Sequence, residues 1–243
     1  MLKAQEVEKG AGQMGKRIPI TLHLEHVHNI LDIVARVDPG VLQGARGWYR
    51  DWNRYLVHRA KVDNVPTDTA IVAFAWLSSN TSLANNLGMF EQYIYNGARN
   101  VVGLSRYQRN KLTAIHMSGN PLKYLTSPKV RSFAINLLTA LPTEDINVAI
   151  FGLQATVTID RHAAQLAYND KSITRVPLWM YKTLALAYNA VANMLGWPVE
   201  EVQAVAWYQW RLEKALRNKT RKRAGRADPD ARALLEWSAG VQA

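Results

Sequence analysis

Asp160 and Lys129 are the two residues whose type and position could do chemistry. Asp160 sits in Thr158-Ile159-Asp160-Arg161-His162-Ala163, after the apolar Val157 and Ile159 and before a helix-like pattern. A carboxylate at a helix start is held by otherwise unpaired backbone amides. Such a group can stabilise developing positive charge or orient a nucleophile. A plain capping aspartate is the alternative, because Asp is a preferred cap. Lys129 sits in Ser127-Pro128-Lys129-Val130-Arg131, at another helix start. The helix dipole mildly disfavours a cation there. A phosphate or a nearby carboxylate can offset that cost, and a partly desolvated lysine can act as a nucleophile. A solvated surface lysine is the competing reading.

Other residues could line a pocket around this pair. Ser78, Ser79 and Asn80 follow an apolar stretch and can present hydroxyl and amide groups to a groove, or serve only as loop. Trp207, Tyr208 and Trp210 crowd one turn, with Arg211 beside them. Three large rings cannot share one face, so at least one belongs at a groove or interface. Lys214 to Arg226 carries seven basic residues and no acid. Lys219, Arg221, Lys222 and Arg223 in this run could track a phosphate backbone, or the run could simply be solvated.

Composition bounds the chemistry. The 243 residues suffice for one large domain or two small ones sharing a core. Thirty Lys and Arg against 19 acids give a net charge of +11, which favours polyanionic partners. A nucleic acid is the expected partner; an acidic membrane surface is the weaker reading, because no long basic amphipathic segment carries a strong apolar face. Eight tryptophans and ten tyrosines beside four phenylalanines supply rings suited to stacking as well as to cores. The absence of cysteine excludes disulfides, iron–sulfur clusters and thiolate zinc sites. His23, His26 and His28 lie close together without accompanying acids and read as a surface helix, so we expect no metal and no cofactor. Walker A, Rossmann, HExxH and Cys/His-finger motifs are absent, which disfavours ATPases, dehydrogenases and zinc proteases. No apolar run reaches membrane-spanning length and no signal peptide is evident. A cytoplasmic protein without membrane association is expected.

The elements that must position these residues read as helices. Periodicity predicts helices over 21–36 and 41–60, separated by Pro39-Gly40 as a breaker. Thr67 or Asp68 can cap a helix through Ala70–Leu77, which is apolar nearly all round and hence central; a central strand is the rival. Further helices are expected from Leu83 to Asn96, from Arg106 to about Met117 with Ser105 as cap, and briefly from Pro121 to Leu125. Ser127 as N-cap and Pro128 as first residue open another, with Val130, Phe133, Ala134, Leu137 and Leu138 as its buried face. Residues 143–157 read equally as helix, strand pair or loop. Asp160 opens the next helix. Helices from Pro177 to Met194 and from Pro198 to about Asn218 follow, with a short one possible at Asp230–Trp237. We expect an all-α chain: a flexible lead over 1–18, a helical domain over 19–213 and a basic extension over 214–243.

Three segments, in order, resemble the helix-hairpin-helix DNA glycosylase superfamily, especially small members encoded by tailed phages. Some of those phage relatives are thought to act on hypermodified thymine. Ile71 to Ser82 is similar to the early family helix and the element that ends it, with Asn80 near the flipped-base gap. Leu125-Thr126-Ser127-Pro128-Lys129-Val130 is similar to the hairpin, with Lys129 where bifunctional members keep a Schiff-base lysine. Val157 to Ala163 resembles the Val-Asp-Thr-His-Val element, with Asp160 on its aspartate and His162 on its histidine. The likeness spans about residues 68–212. It implies two helical lobes with a groove between them, and base flipping followed by cleavage of an N-glycosidic bond in a modified or damaged base. Asp160 and Lys129 would be catalytic; lyase activity would accompany a Lys129 nucleophile. Asn80, Ser78, Ser79, His162, Arg161, Trp207 and Arg211 would bind the substrate. The family's Gly-x-Gly hairpin is replaced by Leu-Thr-Ser-Pro, so Thr126, Ser127 or Arg131 would take over the phosphate. The interval from Lys129 to Asp160 is longer than usual, and the family's cluster cysteines are absent. Two other readings remain open: a non-enzymatic DNA-binding protein on the same scaffold, and a host-interaction protein using the basic tail.

Overall fold

The computed structural model describes residues 20–79, 81–140 and 156–221. The expectations for the lead, Asn80, most of 143–157, Lys222, Arg223 and the helix at Asp230–Trp237 lie outside the described residues. Within them the chain is all-α: ten α-helices, two short 3₁₀ turns and no strand.

The N-terminal helices are α1 (Leu24–Ala35), α2 (Pro39–Arg46) and α3 (Trp48–Val62). The single helix expected over 41–60 is therefore two. Pro39 is not a breaker but the first residue of α2, where its missing N–H costs nothing, and Asp38 caps the helix by accepting from Gly40 N. His26 corrects the surface-helix reading. It is buried and its Nδ1 lies 3.2 Å from the Ala167 carbonyl oxygen.

Next come α4 (Thr67–Leu77), α5 (Leu83–Asn96), α6 (Arg106–His116) and α7 (Pro128–Thr139). The all-apolar stretch is a helix, with Thr69 to Ala75 and Leu77 buried, as a central helix requires. Pro66, not Thr67 or Asp68, holds the N-cap position, although the Asp68 carboxylate in the first turn accepts from Thr69 N at 2.7 Å. Ser82 caps α5, and Ser105 with Gln108 forms a reciprocal capping box on α6. Ser127 occupies the N-cap of α7, but its hydroxyl makes no cap bond. The turn from Leu125 to Ser127 uses no left-handed residue, which is why it needs no glycine.

The C-terminal helices are α8 (Arg161–Ala167), α9 (Leu178–Leu195) and α10 (Val199–Arg221). Gly196, at φ +66°, ends α9 in the left-handed conformation that glycine adopts without strain. α10 runs through residue 213 to Arg221 and carries Lys219 and Arg221 on its last turn.

Buried side chains form two clusters. The first draws on α3 to α7, around Phe74, Phe90, Tyr93 and Leu137, and takes Ala204 from α10. The second joins α1 and α2 to α8, α9 and α10, around Ile30, Ile159, Leu184 and Tyr188. The chain thus leaves one half after α2, builds the other, and returns. No described helix is long and apolar enough to cross a membrane.

Candidate functional site

A cleft opens where the two clusters meet. Its inner chamber, about 120 Å³, is walled by Trp48, Tyr49, Ser78, Asn86, Phe133, Thr158, Gln203 and Ala204. Its outer vestibule, about 410 Å³, adds Arg161, His162, Thr174 and Arg211. Thr81, Ser82, Leu83, Lys129, Asp160 and Trp207 line both. Lys129 from the first half and Asp160 from the second therefore stand on one continuous cavity.

Each is positioned by a helix start. Asp160 is the N-cap of α8, and its Oδ1 accepts from Ala163 N at 2.8 Å. The segment before it is held from three sides. Asn136 Oδ1 accepts from Thr156 N at 2.8 Å, and Asn136 Nδ2 donates to Thr158 Oγ1 at 3.3 Å. Tyr181 Oη lies 2.7 Å from the Val157 carbonyl and 2.8 Å from Ser132 Oγ, so α9 ties this segment to α7. Lys129 is half-buried near the start of α7 and forms no ion pair among the described residues. The arginines of α2 and α3 contrast with it. Arg46 pairs with Glu201, Arg50 and Arg54 with Asp51, and Arg59 with Asp63 and Glu91.

Tyr49 links the chamber to that segment. Its Oη lies 2.7 Å from Gln203 Oε1 and 3.1 Å from Thr158 Oγ1. A carbonyl cannot donate, so the phenol proton goes to Gln203 and the Thr158 hydroxyl donates to Tyr49. Burial pushes the Tyr49 phenol well above its ordinary range, and the Asp160 charge acts in the same direction.

The vestibule is wired differently. Arg211 Nη1 lies 3.1 Å from His162 Nε2, and His162 Nδ1 lies 3.4 Å from Gln165 Oε1. Arg211 can only donate, which leaves Nδ1 as the protonated nitrogen of a neutral ring. Burial lowers the His162 pKa below 6.5; Asp160 opposes this, and the Arg211 charge adds to it. Gln165 in turn donates to the carbonyls of Lys171 and Ile173. The Arg211 guanidinium also lies 5.6 Å from the centre of the Trp207 ring. Of the three crowded rings, Trp207 faces the cleft while Tyr208 and Trp210 are buried.

The remaining expected site residues divide. Ser78 lines the chamber, but its hydroxyl donates back to the Ala75 carbonyl at 2.6 Å. Ser79 is exposed and lines neither chamber. Thr126, Ser127 and Arg131 are exposed at the turn before α7 and along its first turn, and Arg131 Nη1 donates to the Leu122 carbonyl at 3.2 Å. Arg161 is exposed at the vestibule without an ion pair among the described residues.

Sequence reasoning missed the chamber's floor. Asn86 is 1% exposed, and neither its Oδ1 nor its Nδ2 has a hydrogen-bond partner among the described residues. Trp48 Nε1 is likewise buried without a partner among the described residues. A signal for Asn86 existed: it falls on the apolar stripe of α5, one turn before Phe90 and two before Ile94, where a polar residue is out of place.

The chain belongs to the family of unknown function DUF7178. The match covers residues 17–214, which takes in both clusters and the whole described cleft. No curated protein and no solved structure matches the chain. In this DUF7178 chain, a lysine from one half and an aspartate from the other border one aromatic-lined cavity.

Proposed function

We propose that the protein binds double-stranded DNA, turns a nucleotide out of the helix into the cleft, and cleaves the N-glycosidic bond of a modified or damaged base. One observation carries this reading: Lys129 and Asp160 line the same cavity, next to an aromatic chamber. The glycosylase resemblance assigned them paired roles, and sharing a cavity is the minimum such roles require. The net charge of +11 supports a polyanionic partner, with Lys129 and Arg161 at the cleft unpaired by acids among the described residues.

In this reading phosphate contacts seat the duplex and position the target. Extrusion costs a few kcal/mol of stacking, which ring contacts in the cleft offset. As the bond from C1′ to the base breaks, its electron pair leaves with the base and positive charge builds on the sugar. Asp160, one oxygen of which is anchored by the cap, stabilises that charge or takes a proton from the attacking water. If Lys129 is the nucleophile, its nitrogen displaces the base at C1′ and releases a proton; the C1′–O4′ bond then opens as O4′ takes up a proton, leaving an iminium link to the opened sugar and giving lyase activity.

The test is incubation of the purified chain with duplexes carrying damaged or modified bases, scoring base release and strand cleavage. DNA affinity is measured in parallel over a range of salt. Salt-sensitive binding with base release is expected. Salt-sensitive binding with no release from any duplex would reduce the protein to a DNA-binding scaffold; no DNA affinity would end the proposal.

A further inference from the structure

Residues 92–143 hold seven Lys or Arg and no Asp or Glu. None of the seven joins an ion pair among the described residues, whereas each arginine of α2 and α3 meets an acid. Three of the seven, Arg106, Arg109 and Lys111, fall on α6. This helix lies outside the cleft, and none of its residues lines either chamber.

The packing of α6 leaves one face open. The helix rests on α4 between the 3₁₀ turns Ala98–Asn100 and Pro121–Tyr124, and its buried residues are Leu112 and Ile115. Away from them, Arg106, Tyr107, Asn110 and Met117 are exposed, with Ala114 half-buried among them. Steps of three and four residues put these five on one stripe. One flank of the stripe carries Arg109, whose Nη1 donates to the Leu104 carbonyl at 2.5 Å, and Arg99, which shares a groove with it. The other flank carries Lys111. Its Nζ lies 5.5 Å from the centre of the Tyr124 ring, and Lys123 Nζ lies 5.1 Å from the same ring. Two ammonium groups beside one ring repel each other, and a bound polyanion relieves that repulsion.

The residue types on the stripe narrow the polyanion. Arginine pairs bidentately with guanine, asparagine with adenine, and a small apolar side chain packs on the thymine methyl group. All of these edges lie in the major groove of duplex DNA, which admits an α-helix. Cations on either side of such a helix suit phosphates, whose contacts position the protein without specifying sequence.

We propose that α6 is a recognition helix. Its open stripe enters the major groove, Arg106 and Asn110 read base edges, and Arg99, Lys111 and Lys123 hold the flanking phosphates. The protein thus prefers a duplex sequence through a surface separate from the cleft. This rests on the duplex-binding part of the reading above, not on base flipping or cleavage.

The experiment incubates the full chain with a pool of unmodified, fully paired duplexes that carry a randomised core. Bound duplexes are recovered and sequenced, and the Kd of the enriched duplex is compared with that of a scrambled one. A short enriched core containing guanine and adenine is expected, bound at least about tenfold more tightly than the scrambled duplex. Asn110→Ala should relax the preference at the adenine and Arg106→Ala at the guanine, each by at least about fivefold. Lys111→Gln and Lys123→Gln should weaken binding to both duplexes alike, and each should lower the slope of log K against log salt by about one. Thermal melting of each variant confirms folding. Salt-sensitive binding with no enriched sequence, or a preference that survives both Asn110→Ala and Arg106→Ala, overturns the assignment and leaves the duplex-binding reading standing. No affinity for any duplex overturns both.

Discussion

Asn86 and Asn136 are both buried asparagines, yet their surroundings are opposite. Asn136 accepts from Thr156 N and donates to Thr158, and by doing so sets the segment that ends at Asp160. The Asn86 side chain makes no hydrogen bond among the described residues, while its backbone N–H donates to the Ser82 carbonyl. The same contrast separates the regions around them. Behind Asp160 the polar groups run in two hydrogen-bonded chains, Asn136, Thr158, Tyr49 and Gln203 in one and Arg211, His162 and Gln165 in the other, with the buried Tyr188 hydroxyl the exception that has no partner among the described residues. The wall formed by α5 and the start of α3 withholds Asn86 and Trp48 Nε1. A protein that only had to fold would gain by replacing both with apolar groups.

Substitutions can break this contrast. Asn136→Leu has the largest expected effect on stability. It strands the Thr156 amide and removes a bond to Thr158, so we expect a loss of about 2–4 kcal/mol in denaturant unfolding. Asn86→Leu should do the reverse and raise stability by about 1–3 kcal/mol, because the variant loses an unpaired polar group. A loss of that size from Asn86→Leu would mean that Asn86 is structural after all. Tyr49→Phe deletes the proton that holds Gln203 while keeping the ring; we expect a cost of about 1–2 kcal/mol in the same assay.

The smallest effect is on pH. Burial holds the pKa values of His26 and His162 below 6.5 in the folded chain. The unfolded chain therefore binds protons first as pH falls. The stability these neutral rings provide is complete above pH 6.5 and declines as pH drops from there towards their folded-state values. Melting temperature should follow that fall. His162→Gln should flatten part of it, leaving the share due to His26.

Much of the fold was legible because its signals are local. Ser82 and Ser105 mark the starts of α5 and α6, and Asp160 caps α8 as its type and place imply. The excess of large rings on one turn of α10 correctly required one at a groove, and Trp207 is that ring. The division of α2 from α3 was hidden. Gly47 stays in a right-handed helical conformation, and the apolar pattern runs through it without interruption. The partnerless state of Asn86 was beyond reach for another reason. It depends on what α3, α7 and α10 bring to the chamber, and none of that is local to α5. The hairpin differs again: its role was inferred from a resemblance, while its glycine-free turn follows from backbone angles that any residue can adopt.

The central claim is that the cleft acts on DNA through Asp160. Single-turnover base release by the native chain and by Asp160→Asn tests it most directly, because asparagine can still cap α8 while removing the charge. A rate reduced by about 10²–10⁴-fold, with DNA affinity and melting temperature little changed, is the predicted result. Equal rates for the two proteins would contradict the account.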